Sequence, residues 1–81
     1  KKKFLFDFMK ENKINEKEVI YVGNDMNDLE IFKTDIFCCC PADSINEIKL
    51  SANYISDKNG GSGAIRDICE RFFFISFNKL N

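Results

Sequence analysis

The order of patterns along this chain predicts an α/β fold, a three-stranded parallel sheet with helices on both faces. Three observations carry that expectation. Short apolar runs (Glu18 to Val22, Asp35 to Cys40, Asn53 to Ser56) alternate with segments of helical periodicity. Parallel strands need crossovers between them, and the intervening helical segments supply them in the right-handed sense. The first strand also breaks directly into Gly23 and a cluster of acid and amide side chains. Strand carboxyl ends in open α/β sheets face the ligand crevice, so chemistry is expected there.

Each element has its own warrant. Phe4, Leu5, Phe8 and Met9 fall on one side of a helix from about residue 2 to 12. Asn12, Lys13 and Asn15 end it. Glu18 to Val22 follows as a buried strand, and the apolar Val19–Val22 run reads as a central one. A neighbour missing from these residues is therefore expected beside it, because parallel sheets bury both faces and long open edges are a liability. Met26 to Lys33 reads as a short helix with Leu29, Ile31 and Phe32 inward. Asp35 to Cys40 is the second strand, stopped by Pro41, which cannot donate to a ladder. Ser44-Ile45-Asn46-Glu47 has capping-box spacing, which starts a helix at Ser44 and runs it to about Ser51. Asn53 to Ser56 is the third strand. Gly60-Gly61-Ser62-Gly63 forms a loop, and Ala64 to about Phe74 a closing helix capped by Ser62. Its inward residues are expected to be Ile65, Ile68, Cys69, Phe72 and Phe73.

Composition excludes several functions. The chain has 81 residues, 12 basic and 13 acidic side chains, and a net charge of −1. Such a balance leaves no electrostatic footprint for nucleic acid and no polybasic membrane patch. The apolar run Phe72-Phe73-Phe74-Ile75 is far too short to span a bilayer. No secretory signal is visible, and the chain opens without methionine, as a piece of something longer would. Cys38-Cys39-Cys40 and Cys69 lack the ligand spacing of a zinc site, and there is no His. The three consecutive thiols read as small buried apolar groups, with Cys38 and Cys40 on one side of a strand and Cys39 on the other. A reducing, cytoplasmic location follows as an expectation.

Gly23-Asn24-Asp25-Met26-Asn27-Asp28 carries the functional expectation. Asp25 and Asp28 are three residues apart, so a loop and first helical turn can aim both at one spot. Two oxygen-rich side chains suit a hard cation such as magnesium. They equally suit a capped helix start, since Asn and Asp favour N-caps and acids favour the positive end of a helix. Residue chemistry leaves both readings open. The Gly60–Gly63 loop is neither a dinucleotide fingerprint nor a P-loop, and reads as an anion cradle or as a tight turn. Arg66 is expected to pair with a ligand or, more simply, with Asp67 or Glu70. Asp57 to Ile68 fails as an EF-hand, because position six is Ser62 and position twelve is Ile68.

Taken in order, these motifs resemble the C-terminal half of a haloacid dehalogenase superfamily domain, a Rossmann-like fold. Gly23 to Asp28 is similar to that family's fourth motif, and Lys1, 22 residues before Gly23, stands where its third-motif lysine falls. Cys40-Pro41-Ala42-Asp43, Ala52-Asn53-Tyr54-Ile55 and Gly60-Gly61-Ser62-Gly63-Ala64-Ile65-Arg66-Asp67 resemble the later segments of the cap-less 3-deoxy-octulosonate 8-phosphate phosphatases. The phosphatase-like domain fused to acylneuraminate cytidylyltransferases is similar as well, and Asn24 resembles that branch.

The resemblance implies a magnesium-dependent phosphatase acting on a phosphorylated keto sugar acid. Asp25, Asp28 and Asn24 would serve Mg2+, directly or through water, and Lys1 would be the catalytic cation on the phosphate side. Gly61, Ser62 and Arg66 would lie toward substrate. It also implies a homo-oligomer, a tetramer, and a nucleophilic aspartate in the N-terminal half of the domain, since no Asp-x-Asp occurs in these 81 residues. The alternative it implies is a non-catalytic oligomerisation domain appended to a CMP-sialic acid forming cytidylyltransferase.

Overall fold

The structure, a computed structural model, describes residues 1–73. Helix α1 spans Lys2–Glu11 and buries Met9, with Leu5 and Phe6 packed beside it. The expected inward face is thus rotated: Phe4 and Phe8 are exposed, because Leu5 and Met9, one turn apart, take the line nearest the sheet. Asn15 ends the connection by capping a single 3-10 turn, Glu16–Glu18, and Glu18 Oε1 accepts the Asn15 N–H at 3.0 Å. That reciprocal cap is why Glu18 is not in the strand; β1 is only Ile20–Val22.

Beyond β1, the expected helix is divided. Met26–Asp28 form a 3-10 turn and Leu29–Phe32 form α2. Strand β2 covers Phe37–Cys40, α3 Asn46–Ser51, β3 Tyr54–Ile55, and α4 Ala64–Phe72. Two expected caps are absent. The Ser44 hydroxyl donates to the Pro41 carbonyl at 2.8 Å, so Ser44 closes the preceding turn and α3 starts two residues later. Gly63, not Ser62, occupies the N-cap of α4, at φ 104°, a left-handed conformation that favours glycine.

The sheet is parallel throughout, in the order β1-β2-β3, with Tyr21 opposite Cys38 and Cys39 opposite Tyr54. Among the described residues β2 is central, and β1 lies half-buried at an edge, the side on which the sequence leaves room for a further neighbour. Cys38, Cys39 and Cys40 are fully buried, as the sequence suggests. One face of the sheet packs Cys38 and Cys40 against Met9, Ile31, Phe32, Ile36 and Ile48 from the α1, α2 and α3 side. Burying each such isoleucine stabilises by about 1.5–3 kcal/mol. The opposite face is closed by α4, whose Phe72 ring meets Phe37 and Tyr54 edge-on, each at 4.9 Å between centroids. Helices therefore cover both faces.

Within α4, Ile68 is buried but Ile65 and Phe73 are exposed, against expectation. The stripe centred on Ala64 and Ile68 leaves Ile65 one residue out of phase. The expected end of this helix at Phe74, and the tail after it, fall outside the described residues. Burial raises the Cys38 thiol to about 11 and Cys39 to about 12, so neither is a nucleophile at neutral pH. No helix among the described residues is long and apolar enough to cross a membrane.

Candidate active site

Three loops leave the carboxyl ends of the strands and are stitched into one rim. The Asn24 carbonyl, just past β1, accepts the Ile45 N–H at 3.3 Å. After β2, the Ala42 N–H donates to the Lys58 carbonyl at 2.9 Å. Asp43 Oδ1 accepts the Gly60 N–H at 2.9 Å. The fourth-motif loop and the glycine loop thus share a frame through residues 41–45.

Asp28 is the hub of the rim at β1. It is 3% exposed, and each carboxylate oxygen accepts two hydrogen bonds. Oδ1 accepts from Lys1 Nζ at 3.0 Å and from the Tyr21 hydroxyl at 2.6 Å. Oδ2 accepts the backbone N–H groups of Asn24 at 3.0 Å and Asp25 at 3.3 Å. Burial opposes ionisation, but the bonds from Tyr21, Lys1, Asn24 and Asp25 outweigh it and hold the Asp28 carboxyl below its usual range. Burial, then the neighbouring carboxylate, keeps the Tyr21 hydroxyl protonated and a donor. A Cβ at Gly23 would lie 2.6 Å from Asp28 Cγ, so this carboxylate requires glycine at the strand's end.

Asp25 lies beside Asp28 but faces solvent, and its Oδ1 accepts the Met26 N–H at 2.7 Å. The capped-turn reading of the motif is what the geometry displays: Asp25 caps the turn while Asp28 receives its N–H in return. Asn24 is exposed too. With Asp28 fully engaged, Asn24, Asp25 and Asn27 are the exposed side chains of this motif that carry an oxygen donor. No cluster of three or more His, Cys, Asp or Glu fit to hold a metal ion occurs among the described residues. A small number of exposed oxygen donors suits magnesium, which usually takes few protein ligands alongside water and substrate phosphate.

Other expected residues are placed as follows. Lys1, at the start of α1, is half-exposed and reaches across to Asp28. Gly61, at φ 82°, and Ser62 lie in the exposed glycine loop, where the Ser62 N–H donates to the Asn59 carbonyl. Arg66 Nε pairs with Glu70 at 3.2 Å, the ordinary i,i+4 surface contact. The glycine loop belongs to the same rim as Asp28 through Asp43, although Arg66 is engaged within its own helix. Tyr21 escaped the sequence reading. Its signal was there, since a strand tyrosine turned to the core needs a partner for its hydroxyl and Asp28 is seven residues on.

The fold and this rim together define a parallel α/β protein with a lysine–aspartate pair at the carboxyl edge of its sheet. The comparisons make the class specific. A family model for haloacid dehalogenase-like hydrolases matches residues 1–68, and the chain belongs to that family. A curated relative, the phosphoglycolate phosphatase of Thermoplasma volcanium, is 30% identical over 48 residues, covering 59% of this chain and 21% of the relative.

Among solved structures, the 3-deoxy-D-manno-octulosonate 8-phosphate phosphatase of Moraxella catarrhalis, in complex with magnesium, phosphate and KDO, superposes with a TM-score of 0.79 at 27% identity. The match covers 85% of this chain and 40% of that one. The cobalt-bound phosphatase of the same name from Haemophilus influenzae gives 0.75 at 27% identity, over 82% and 39%. A Thermoplasma acidophilum protein shares the fold at 0.80 and 22% identity, over 88% and 31%. The chain thus spans about a fifth of the curated relative and well under half of these structural neighbours.

Proposed function

We propose that this chain is the lysine- and metal-bearing half of a magnesium-dependent phosphatase domain that acts on a phosphorylated keto sugar acid. The observation that carries the proposal is the Lys1–Asp28–Tyr21 assembly beside the outward-facing Asn24 and Asp25. Phosphoryl transfer depends on positioning and charge neutralisation, and these residues offer both. Asn24 and Asp25 would hold the cation, which when bound neutralises phosphate charge. The Lys1 ammonium has three donors and gives one to Asp28, so it can add a second positive contact to a phosphate oxygen. The relatives solved with magnesium or cobalt support dependence on a divalent ion. The sugar-acid class rests on the relatives named for 3-deoxy-octulosonate 8-phosphate. The attacking aspartate is assigned to the complementary half of the domain, and the parent protein to a cytoplasmic homo-oligomer.

Three experiments test this reading. The 81-residue chain, mixed with magnesium and p-nitrophenyl phosphate, is expected to release no phenol above blank; sustained turnover would refute the division of labour. The intact protein is expected to hydrolyse 3-deoxy-octulosonate 8-phosphate or a nonulosonate phosphate in preference to phosphoglycolate, and the reverse preference would reject the sugar-acid class. In that protein Asn24→Asp is expected to tighten magnesium binding, because a carboxylate is a stronger ligand than an amide oxygen, while Asp25→Ala weakens it. Calorimetric titration with MgCl2 reads both.

A further inference from the structure

We infer that Tyr21 is a positioning residue for Lys1, acting through the Asp28 carboxylate that the two side chains share. The inference rests on the phosphatase reading for its consequence, but on geometry for its substance. Oδ1 of Asp28 accepts both the Tyr21 hydroxyl at 2.6 Å and Lys1 Nζ at 3.0 Å. An oxygen with two lone pairs is thereby filled, and Oδ2 is filled likewise by two backbone N–H groups. The carboxylate cannot turn about its Cβ–Cγ bond without breaking two of these contacts. Tyr21 is the donor with the firmest footing. It sits in β1 opposite Cys38, and its ring meets Phe32 edge-on at 6.2 Å. Lys1, by contrast, is a flexible side chain, 53% exposed and 27 residues away along the chain. Alone, such an ammonium samples many rotamers. Held against an oxygen whose direction the Tyr21 hydroxyl sets, it occupies one place relative to Asn24 and Asp25.

The shape of the loop reinforces the point. Gly23 lets the Asp28 carboxyl lie against the backbone at the strand's end, where a Cβ would displace it. Tyr21, Gly23 and Asp28 therefore form one device in the strand and its exit, and Lys1 is what the device holds.

The test uses the intact protein with 15N-labelled lysine. The Lys1 Nζ resonance, identified by its loss in Lys1→Arg, is compared between wild type and Tyr21→Phe, which removes the hydroxyl and keeps the ring. The expected result is a shifted or exchange-broadened Lys1 signal in a folded Tyr21→Phe protein. An unchanged signal overturns the inference, whatever the activity. With p-nitrophenyl phosphate and magnesium, kcat should fall about tenfold at nearly constant KM, the scale of one hydrogen bond to a charged group. A wild-type rate in Tyr21→Phe would also overturn it. If wild type shows no turnover, the phosphatase reading fails by itself and the Lys1 signal alone judges Tyr21. Should Tyr21→Phe not fold, 4-aminophenylalanine at position 21 retains a donor. A native-like Lys1 signal there supports the inference, and its loss in that folded protein overturns it.

Discussion

Asp28 and Asp67 invite comparison, because each is a carboxylate gripped by a strand tyrosine on opposite faces of one sheet. Asp67 Oδ2 accepts the Tyr54 hydroxyl and the Ser56 hydroxyl, both at 2.8 Å, and Arg71 stands 3.9 Å from its other oxygen. These contacts pin α4 to β3 and its exit, and the Arg71 guanidinium lies over the Tyr54 ring. Asp28 differs in three ways: it is more deeply buried, it takes two backbone N–H groups of its own loop, and its cation comes from the far end of the chain. Asp67 is a local tie between neighbouring elements. Asp28 joins α1, β1 and a turn at the carboxyl edge of the sheet, so the same tyrosine–aspartate pairing ties two neighbouring elements on one face and assembles the loop of the proposed site on the other.

The comparison breaks most readily at Asp28. Asp28→Ala orphans the Tyr21 hydroxyl and two N–H groups, and a cost of about 3 kcal/mol is expected in urea denaturation of the intact protein. A loss no larger than that of Asp67→Ala would erase the distinction drawn here. Gly23→Ala should follow at about 2 kcal/mol, because backbone and Asp28 must move apart to admit the methyl group. Asp67→Ala ranks lower, at about 1 kcal/mol, since Asp67 is itself less buried than Asp28 and Arg71 is exposed, although the buried Ser56 hydroxyl loses its acceptor.

The smallest effect is in the pH profile. The Tyr54 and Ser56 hydrogen bonds hold the Asp67 carboxyl below its ordinary value, with burial opposing and Arg71 assisting. A depressed folded-state value means this stabilisation is present above the unfolded carboxylate value, about 3.9, and is lost as pH falls through the folded one. Asp67→Asn should therefore flatten the decline of stability below about pH 4. An unaltered acid limb would show that Asp67 gains nothing from its hydroxyl partners.

Much of the fold was legible because it depends on periodicity. The alternation of runs located, within a few residues, the three strands and four α-helices of the described residues, and the buried cysteines followed from strand parity. What escaped was decided by competition between local hydrogen bonds. Ser44 had the spacing of a cap but spent its hydroxyl on Pro41, and Asn15 with Glu18 took from β1 a residue that pattern alone assigned to it. Phe4 and Ile65 look inward by composition, yet which line of a helix meets the sheet depends on a rotation that sequence does not encode at single-residue precision.

At the proposed site, residue chemistry pointed to the loop, and only the family resemblance pointed to Lys1, which lies against Asp28. It could not tell that Asp28 turns in while Asp25 turns out, because that depends on Tyr21 lying beneath the loop. The Gly60–Gly63 segment was recognised as a loop, but its tie to Asp43 is a contact across 17 residues that no spacing rule announces.

One consequence follows from the run of thiols in β2. Cys38, Cys39 and Cys40 have no exposed surface, whereas Cys69 on α4 is partly accessible. A thiol reagent can reach the three only when the middle strand separates from its neighbours, so their modification acts as a stopwatch for sheet opening. Cys69 supplies an internal standard for reagent strength in the same sample. The protein thus carries, without any added label, a chemical recorder of how often its centre comes apart.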